Sequence, residues 1–304
     1  MNIDEVASLA RLVAGWEDTE PAVKPLAGGT TNQNFRVDVG DRSYVIRIPG
    51  ERTALLGVDH DVEVEVARRA ADLGIGPPVF GKLPGYPTLI TTLVPGDHAR
   101  STADFAAPPR LESVVAAVAK LHRSGPVKGQ FPIHRIVERH ARDAEQHGAT
   151  IPALYDDLHE LSSDIERAFA ASPQPAVPCH NDLIPGNVLF DDDRVWLLDY
   201  EYAGMNDGFF DLANLSVNVG LGSDDDERVL TAYFGRVTRA DWARLQLMKV
   251  LSEMREGMWA VVQQAISTLD GFDFVTYAQE RLARAARLAA RRETARWLAD
   301  AASS

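Results

Sequence analysis

The sequence predicts an α+β protein with two unequal lobes, a small β-rich N-terminal lobe and a larger helical C-terminal lobe. Hydrophobic side chains alternate with a period of two over 34–39 and 43–48, which is typical of strands. After Pro95 the spacing becomes helical, and one compact extended segment at 187–201 interrupts it. A bilobal arrangement of this kind leaves a cleft between the lobes, where small-molecule sites tend to lie.

The N-terminal lobe is predicted to span 1–94 and to end where Pro95-Gly96 breaks the chain. The short turn 40–42 between the two alternating runs indicates a β-hairpin. A helix and a polar, glycine-containing loop precede this hairpin, and a second helix closed by Gly74 and two extended runs follow it. The predicted ranges are 3–16, 27–32, 34–48, 59–73, 78–83 and 87–94.

The C-terminal lobe is predicted to span 95–304. Its extended segment is a second hairpin, with strands over 188–190 and 195–198 on either side of an acidic turn. The remaining hydrophobic spacing is helical, and the sequence leaves open whether the longest helix is interrupted. The predicted helices cover 110–124, 134–147, 152–171, 226–234, 239–267 and 275–301.

Composition narrows the class of protein. The chain has 304 residues, 45% of them hydrophobic, which allows a sizeable core. Its net charge of −13 disfavours phosphate backbones as partners, so we expect no nucleic-acid binding. A single cysteine excludes an internal disulfide framework, no apolar run is long enough to predict membrane insertion, and the N-terminus lacks a secretory pattern. We therefore expect a cytoplasmic protein, and a homodimer stays open.

The segment from His180 to Asn187 carries the strongest chemical signal. Asp182 is followed five residues later by Asn187, and a hairpin then leads to Asp199. Phosphoryl transfer needs a carboxylate to orient the attacking hydroxyl and oxygen ligands to hold Mg²⁺ against the nucleotide phosphates. The order of the three residues matches the catalytic loop and metal-binding aspartate of protein-kinase-like enzymes. We therefore predict Asp182 as the base and Asn187 and Asp199 as ligands of Mg²⁺, with ATP as the donor.

Neighbouring residues are given structural roles. His180 is predicted to brace the loop with its imidazole, and Cys179 is predicted to be a small buried neighbour. The acidic run Asp191–Asp193 resembles a metal site, but between two strands a solvated turn is the simpler interpretation.

The nucleotide phosphates are assigned to the N-terminal lobe. Its glycine-containing loop lies between strand-like segments, where it could fold over phosphates, although paired glycines also mark ordinary turns. Arg47 is predicted as the phosphate-contacting cation and Glu63 as its helical partner, with Glu65 as the competing choice. The predicted cofactor-binding residues are Gly28, Gly29, Thr30, Thr31, Asn32, Arg47 and Glu63.

These residues together resemble the choline/ethanolamine kinase branch of the aminoglycoside phosphotransferase-like kinases. GGTTNQNFRV is similar to the phosphate loop of that family, and YVIRIPG to the strand that bears the phosphate-binding cation. CHNDLIPGNVLF and LLDYEYAGMNDGFFDLAN resemble the catalytic and metal segments. REGMWAVVQQAIS and FVTYAQERLARA are similar to the substrate-side helices of choline kinases. The resemblance implies a bilobal protein-kinase-like fold, ATP as the donor and a small cationic alcohol as the acceptor.

The resemblance also implies an acceptor site. Trp259 matches an aromatic residue of the choline pocket, and a quaternary ammonium fits ring faces with carboxylates nearby. The residues assigned to the acceptor are Glu201, Tyr202, Asp207, Glu256, Trp259 and Tyr277. Asp211 matches a structural aspartate of the family.

One departure bears on specificity. Where eukaryotic choline kinases carry a second tryptophan three residues before the first, this chain has Glu256. A ring is lost and a charge is gained, which weakens the case for choline. Ethanolamine, another amino alcohol or an aminoglycoside stays open as the acceptor. A nucleotide-binding pseudokinase is the alternative from another class, although Asp182, Asn187 and Asp199 are all present.

Overall fold

The structure is a computed structural model, and it describes residues 1–26, 32–50, 53–86, 88–107, 109–192, 194–267 and 271–303. The N-terminal region is built around an antiparallel sheet with strand order β1-β2-β3-β5-β4. Its elements are α1 Ile3–Ala10, β1 Ala22–Leu26, β2 Asn32–Val39, β3 Arg42–Pro49, α2 His60–Asp72, β4 Val79–Lys82 and β5 Leu89–Thr92.

The predicted hairpin is confirmed as β2 and β3. Val39 pairs with Arg42 next to the turn, and Gly40 takes a positive φ of 56° that most residues adopt with difficulty. Alternate side chains face a small core, in which Val37 and Ile46 are fully buried. The first helix was predicted over 3–16 but is shorter, since α1 ends at Ala10.

Helix α2 connects the sheet to the helical part of the molecule. The Asp59 side chain caps its N-terminus, and Gly74 follows its end with a positive φ of 70°. Its apolar face, with Val62 and Val66, packs into the same hydrophobic cluster as the C-terminal helices. The division of the chain at 94/95 stays a prediction, since this core extends across it.

The C-terminal region is mostly helical, as predicted. Its helices are α3 Thr102–Ala106, α4 Arg110–His122, α5 Ile133–Gln146, α6 Leu154–Ala171, α7 Gly208–Val219, α8 Ser223–Phe234, α9 Arg239–Ile266, α10 Phe274–Ala289 and α11 Thr294–Ala301. Its strands are β6 Asp97–His98, β7 Ala176–Cys179, β8 Val188–Asp191, β9 Arg194–Leu197 and β10 Gly204–Asp207. The second predicted hairpin is confirmed as β8 and β9.

Several features of this region differ from the sequence prediction, among them the short elements α3 and β6. Helix α7 was missed because it is buried on nearly all sides, so its sequence lacks an amphipathic period. The pairing of β7 with β10 was also missed, since it joins segments far apart in the chain. The helix predicted over 275–301 is two helices, α10 and α11, with a break that no glycine or proline marks.

Helix α9 is the centre of the C-terminal region, and it is continuous over 28 residues. It packs against α5, α7, α10 and α11, and most of its residues after Trp242 are buried. A helix surrounded in this way holds its side chains in fixed positions. Charged residues on it are therefore placed against specific partners. Within the part of the chain that the structure describes, no helix is both long enough and apolar enough to cross a bilayer.

Candidate active site

A cleft of about 960 Å³ lies where the N-terminal sheet faces the helical region. Most of the residues predicted for the site line it, although they come from distant parts of the chain. These residues are Arg47, Glu63, Asp182, Asn187, Asp199, Glu201, Tyr202, Glu256, Trp259 and Tyr277. Gly28, Gly29, Thr30 and Thr31, which were assigned to the nucleotide phosphates, lie outside the described residues.

Hydrogen bonds to helix α7 fix the catalytic segment, His180 to Asn187. The carboxylate of Asp211 accepts hydrogen bonds from the backbone N–H groups of His180 at 2.8 Å and Asn181 at 2.7 Å. Asn214 accepts a further bond from the N–H of Leu183. Asn181 has a positive φ of 63°, a conformation that asparagine tolerates better than most residues. The segment is therefore fixed by buried hydrogen bonds, and Asp211 has the structural role that the resemblance implied.

His180 braces the loop, in agreement with its predicted role. Its Nε2 lies 2.8 Å from the carbonyl oxygen of Leu198, next to Asp199, and its side chain is fully buried. Burial lowers the pKa of the imidazole, because it disfavours the charged form. A neutral imidazole that donates to this carbonyl connects the catalytic segment to the residues just after β9, next to Asp199.

Asp182 lies at the bottom of the cleft with most of its side chain buried. Asn187 Nδ2 donates to its backbone carbonyl oxygen at 3.0 Å and to Oδ2 at 3.1 Å, and Arg255 Nη1 donates to Oδ1 at 3.2 Å. Burial raises the pKa of Asp182 to about 7, the Arg255 guanidinium opposes this rise, and the carboxylates of Glu256 and Glu201 add to it. A carboxylate with this pKa is suited to accept a proton near neutrality.

Asn187 and Asp199 fit the chemistry of a magnesium site. The Nδ2 of Asn187 is directed at Asp182, so its amide oxygen is the end that remains for a cation. Asp199 follows β9 with a positive φ of 65° and is partly exposed to the cleft. Both offer the hard oxygen ligands that Mg²⁺ prefers.

Arg47 joins the sheet, helix α2 and the residues that follow β9. Its guanidinium donates to the carboxylates of Glu63 and Asp199. Burial alone would raise the pKa of Glu63, but Arg47 and His60 outweigh it and hold this pKa below its ordinary value. Glu65 pairs with Arg69 at 3.3 Å, so the choice that the sequence left open falls on Glu63.

The far end of the cleft is aromatic and acidic. Trp259 Nε1 donates to the hydroxyl of Tyr202 at 3.1 Å, and the hydroxyl of Tyr277 donates to Glu256 at 3.0 Å. The rings of Trp259 and Tyr277 meet edge to face, with centroids 6.2 Å apart. Together with Glu201, these residues are called the acceptor end below. These residues and Asp182 line the same cleft, and their role in holding an acceptor stays a prediction.

Two predicted site residues have other contacts. Asp207 does not line the cleft, because it caps α7 through the N–H of Phe209 at 3.0 Å and pairs with Arg244 at 2.6 Å. Its assignment to the acceptor is corrected to a structural role. Asn32 donates to Glu201 at 3.0 Å, so its side chain connects the first residue of β2 to the residues that follow β9.

Arg255 was not predicted as a site residue from the sequence. This residue is buried at the acceptor end, where it contacts both Asp182 and Glu256. The signal was present in the sequence as an arginine within the apolar centre of a long predicted helix. A charge at such a position requires partners, and here they are Glu256 and the predicted base.

One metal-like cluster lies apart from the cleft among the described residues. His122, Cys179 and Asp211 are all buried and close together. Both oxygens of Asp211 already accept hydrogen bonds, one of them from His122 Nε2 at 3.0 Å. Burial raises the pKa of the Cys179 thiol well above its usual value, so the thiolate that a metal requires is disfavoured. The cluster is structural.

Comparison with known proteins assigns this chain to a family. The model of the phosphotransferase enzyme family matches residues 22–248. Protein LicA of Haemophilus influenzae is 24% identical over 276 residues, which cover 86% of this chain and 78% of LicA. Ethanolamine kinase 2 of Mus musculus is 24% identical over 298 residues, which cover 86% of this chain and 75% of that kinase.

Solved structures show the same fold. The crystal structure of a choline/ethanolamine kinase family protein from Mesorhizobium loti superposes with a TM-score of 0.86 at 29% identity, over 99% of both chains. A structure of LicA in complex with AMP superposes with a TM-score of 0.76 at 20% identity, over 97% of both chains. The bilobal fold predicted from the sequence is thereby confirmed.

Proposed function

The chain belongs to the phosphotransferase enzyme family, and we propose that it transfers the γ-phosphoryl group of ATP to the hydroxyl of a small amino alcohol of the choline or ethanolamine type. The observation that carries this proposal is the position of Asp182. Its side chain contacts Asn187, which is suited to hold the metal, and Arg255, which in turn contacts Glu256 of the acceptor end.

The reaction follows from these positions. Asp182 accepts the proton of the acceptor hydroxyl, the hydroxyl oxygen forms a bond to the γ-phosphorus, and the bond from that phosphorus to the bridging oxygen of ADP breaks. Arg47 supplies positive charge to the phosphates from the β3 side. Mg²⁺ held by Asn187 and Asp199 would neutralise charge on the phosphate oxygens. ADP and the phosphorylated alcohol are the products.

The choice of an amino alcohol rests on the acceptor end and on the relatives. Glu256 and Trp259 give this end a carboxylate and a ring, both of which attract a cation. Burial would raise the pKa of Glu256, but Arg255 and Arg281 outweigh it and hold the pKa below its ordinary value, so Glu256 is ionised. The structural relative from Mesorhizobium loti is described as a choline/ethanolamine kinase family protein. We place the reaction in the cytoplasm.

An acceptor screen tests the proposal. Release of ADP from ATP and Mg²⁺ is measured with choline, ethanolamine, aminoglycosides and sugar alcohols, and Asp182→Asn serves as the control for contaminating kinases. We expect an amino alcohol to give the highest kcat/KM. Stimulation by aminoglycosides alone would assign the chain to the antibiotic-modifying branch. If no acceptor stimulated ADP release while ATP still bound, the pseudokinase alternative would replace the proposal.

A further inference from the structure

Arg255 lies at the acceptor end, and no role has been assigned to it in the proposed reaction. Its side chain projects from the buried middle of α9 and is only 2% exposed. A guanidinium stays charged at any physiological pH, so burial makes this cation costly unless other groups compensate it. The compensating groups identify what this part of the site is built to hold.

The surroundings of Arg255 form a cation cage, defined here as Tyr202, Glu256 and Asp182. The guanidinium carbon lies 4.4 Å from the centroid of the Tyr202 ring, within the range of a cation–π contact. Its Nη1 donates to Glu256 at 2.6 Å and to Asp182 at 3.2 Å. A ring face with carboxylates beside it is the arrangement that would receive a quaternary ammonium. In this protein the cage already contains a cation that belongs to the chain.

The second tyrosine of the acceptor end is covered in the same way. The guanidinium carbon of Arg281 lies 4.9 Å from the centroid of the Tyr277 ring, and Arg281 pairs with Glu253 at 3.1 Å. The rings of Trp259 and Tyr277 meet edge to face, and Trp259 is 7% exposed. Each of the two tyrosine rings of the acceptor end therefore has an arginine of the chain over one face.

Hydrogen-bond acceptors are still available there. A carboxylate oxygen accepts more than one hydrogen bond, so Glu256 can receive a donor in addition to Arg255 and Tyr277. A primary ammonium carries three N–H donors and binds through such oxygens. A quaternary ammonium carries none and depends on ring faces. The two kinds of amino alcohol therefore need different surroundings.

We propose that Arg255 is the specificity-determining residue of the acceptor site, because its guanidinium fills the cation cage and excludes quaternary ammonium groups. The acceptor is then an alcohol whose ammonium bears N–H groups. This inference rests on the proposed function, since it presumes an amino alcohol as the acceptor. It also assigns a role to the arginine that accompanies Glu256 where choline kinases have a second tryptophan.

The test compares ethanolamine with choline, which differ by three methyl groups on nitrogen. For the wild type we expect ethanolamine to have the higher kcat/KM. Arg255→Met keeps an unbranched stem and removes the charge, which uncovers Tyr202 and leaves Glu256 without its cation. The ratio of kcat/KM for choline to that for ethanolamine should then rise by about 30-fold, the effect of one desolvated cation–π contact.

Arg244→Met is the matched control. Arg244 is also buried, stacks 4.1 Å from the ring centroid of Phe169 and pairs with Asp207, but it lies outside the cleft. Its replacement should lower stability and leave the substrate ratio at the wild-type value. An equal change of the ratio in both variants would overturn the assignment of Arg255, since it would reflect general loosening of the structure.

Tetramethylammonium gives a readout that does not depend on turnover. It should not bind the wild type and should bind Arg255→Met, as measured by isothermal titration calorimetry. Free guanidinium ion should displace it from the variant. If Arg255→Met fails to fold, the wild type alone decides: binding of tetramethylammonium, or a preference for choline, would overturn the inference. If the wild type phosphorylates no amino alcohol, the proposed function fails, and tetramethylammonium binding still tests the cage.

Discussion

Replacing Asp211 by asparagine should have two effects at once. It should destabilise the protein, and it should loosen the catalytic segment that Asp211 holds in place. The side chain is fully buried and accepts hydrogen bonds from the backbone N–H groups of His180 and Asn181 and from His122 Nε2 at 3.0 Å. An asparagine of nearly the same size keeps one accepting oxygen. Its amide NH₂ faces donors where the second oxygen stood, so at least one of the three hydrogen bonds is lost.

The magnitude follows from the charge and burial of the group. Breaking a buried, charge-assisted contact by removing one partner costs about 3–5 kcal/mol. For a chain of 304 residues the entropy of unfolding is roughly 0.6 kcal/mol per kelvin. The melting temperature should therefore fall by about 5–8 °C. Turnover should fall as well, because the N–H groups that Asp211 holds immediately precede Asp182.

Differential scanning calorimetry and ADP release under saturating ATP measure the two effects. Asp226→Asn is the matched control, since Asp226 is 2% exposed and accepts from Gln246 at 3.0 Å and Lys249 at 2.7 Å, away from the catalytic segment. It should lower the melting temperature similarly but leave kcat per folded molecule unchanged. The same kcat in both variants, or an unchanged melting temperature for Asp211→Asn, would refute the reasoning.

The effect should also depend on pH. Burial would raise the pKa of Asp211, but His122, His180 and the backbone donors outweigh it and hold the pKa below the unfolded value of about 3.9. The stabilisation by the carboxylate is therefore fully present above that unfolded value and is lost as the pH falls through the folded-state pKa. The gap in unfolding free energy between wild type and Asp211→Asn should narrow below about pH 4. A gap that widens on acidification would contradict this sign.

The remaining predictions concern the chemistry, the nucleotide and the packing of α9. Asp182→Asn should lower kcat by about 10²–10⁴-fold with little change in ATP affinity, measured by steady-state kinetics and calorimetry; near-normal turnover would exclude Asp182 as the base. Arg47→Met should weaken ATP binding and leave Glu63 buried without its cation, so a titration that showed wild-type affinity would remove Arg47 from the nucleotide site. Gly257→Ala should destabilise the fold by about 1–3 kcal/mol in urea denaturation, because the added methyl would lie 2.7 Å from Leu282 Cγ on α10. Unchanged stability there would show that α10 moves aside at no cost.

Local patterns predicted the elements whose hydrophobic period is simple. The β2–β3 hairpin, α2 and the β8–β9 hairpin follow from alternation, capping and turn residues that are neighbours in the chain. Helix α7 was not predicted, because burial on nearly all sides removes the alternation of apolar and polar faces from its sequence. The order of Asp182, Asn187 and Asp199 is also a local pattern. It predicts phosphoryl transfer because that chemistry needs these residue types near one another.

The sequence by itself determined the two-lobed fold class and the phosphotransferase class, because both are encoded in short segments whose residues act together. Only the tertiary structure decided which of Glu63 and Glu65 meets Arg47, that Asp207 serves α7 instead of the acceptor, and that Arg255 fills the cage beside Glu256. Each of these depends on the direction of a side chain across a contact between distant elements. That direction is set by how α2, α7 and α9 pack, and no local pattern records it.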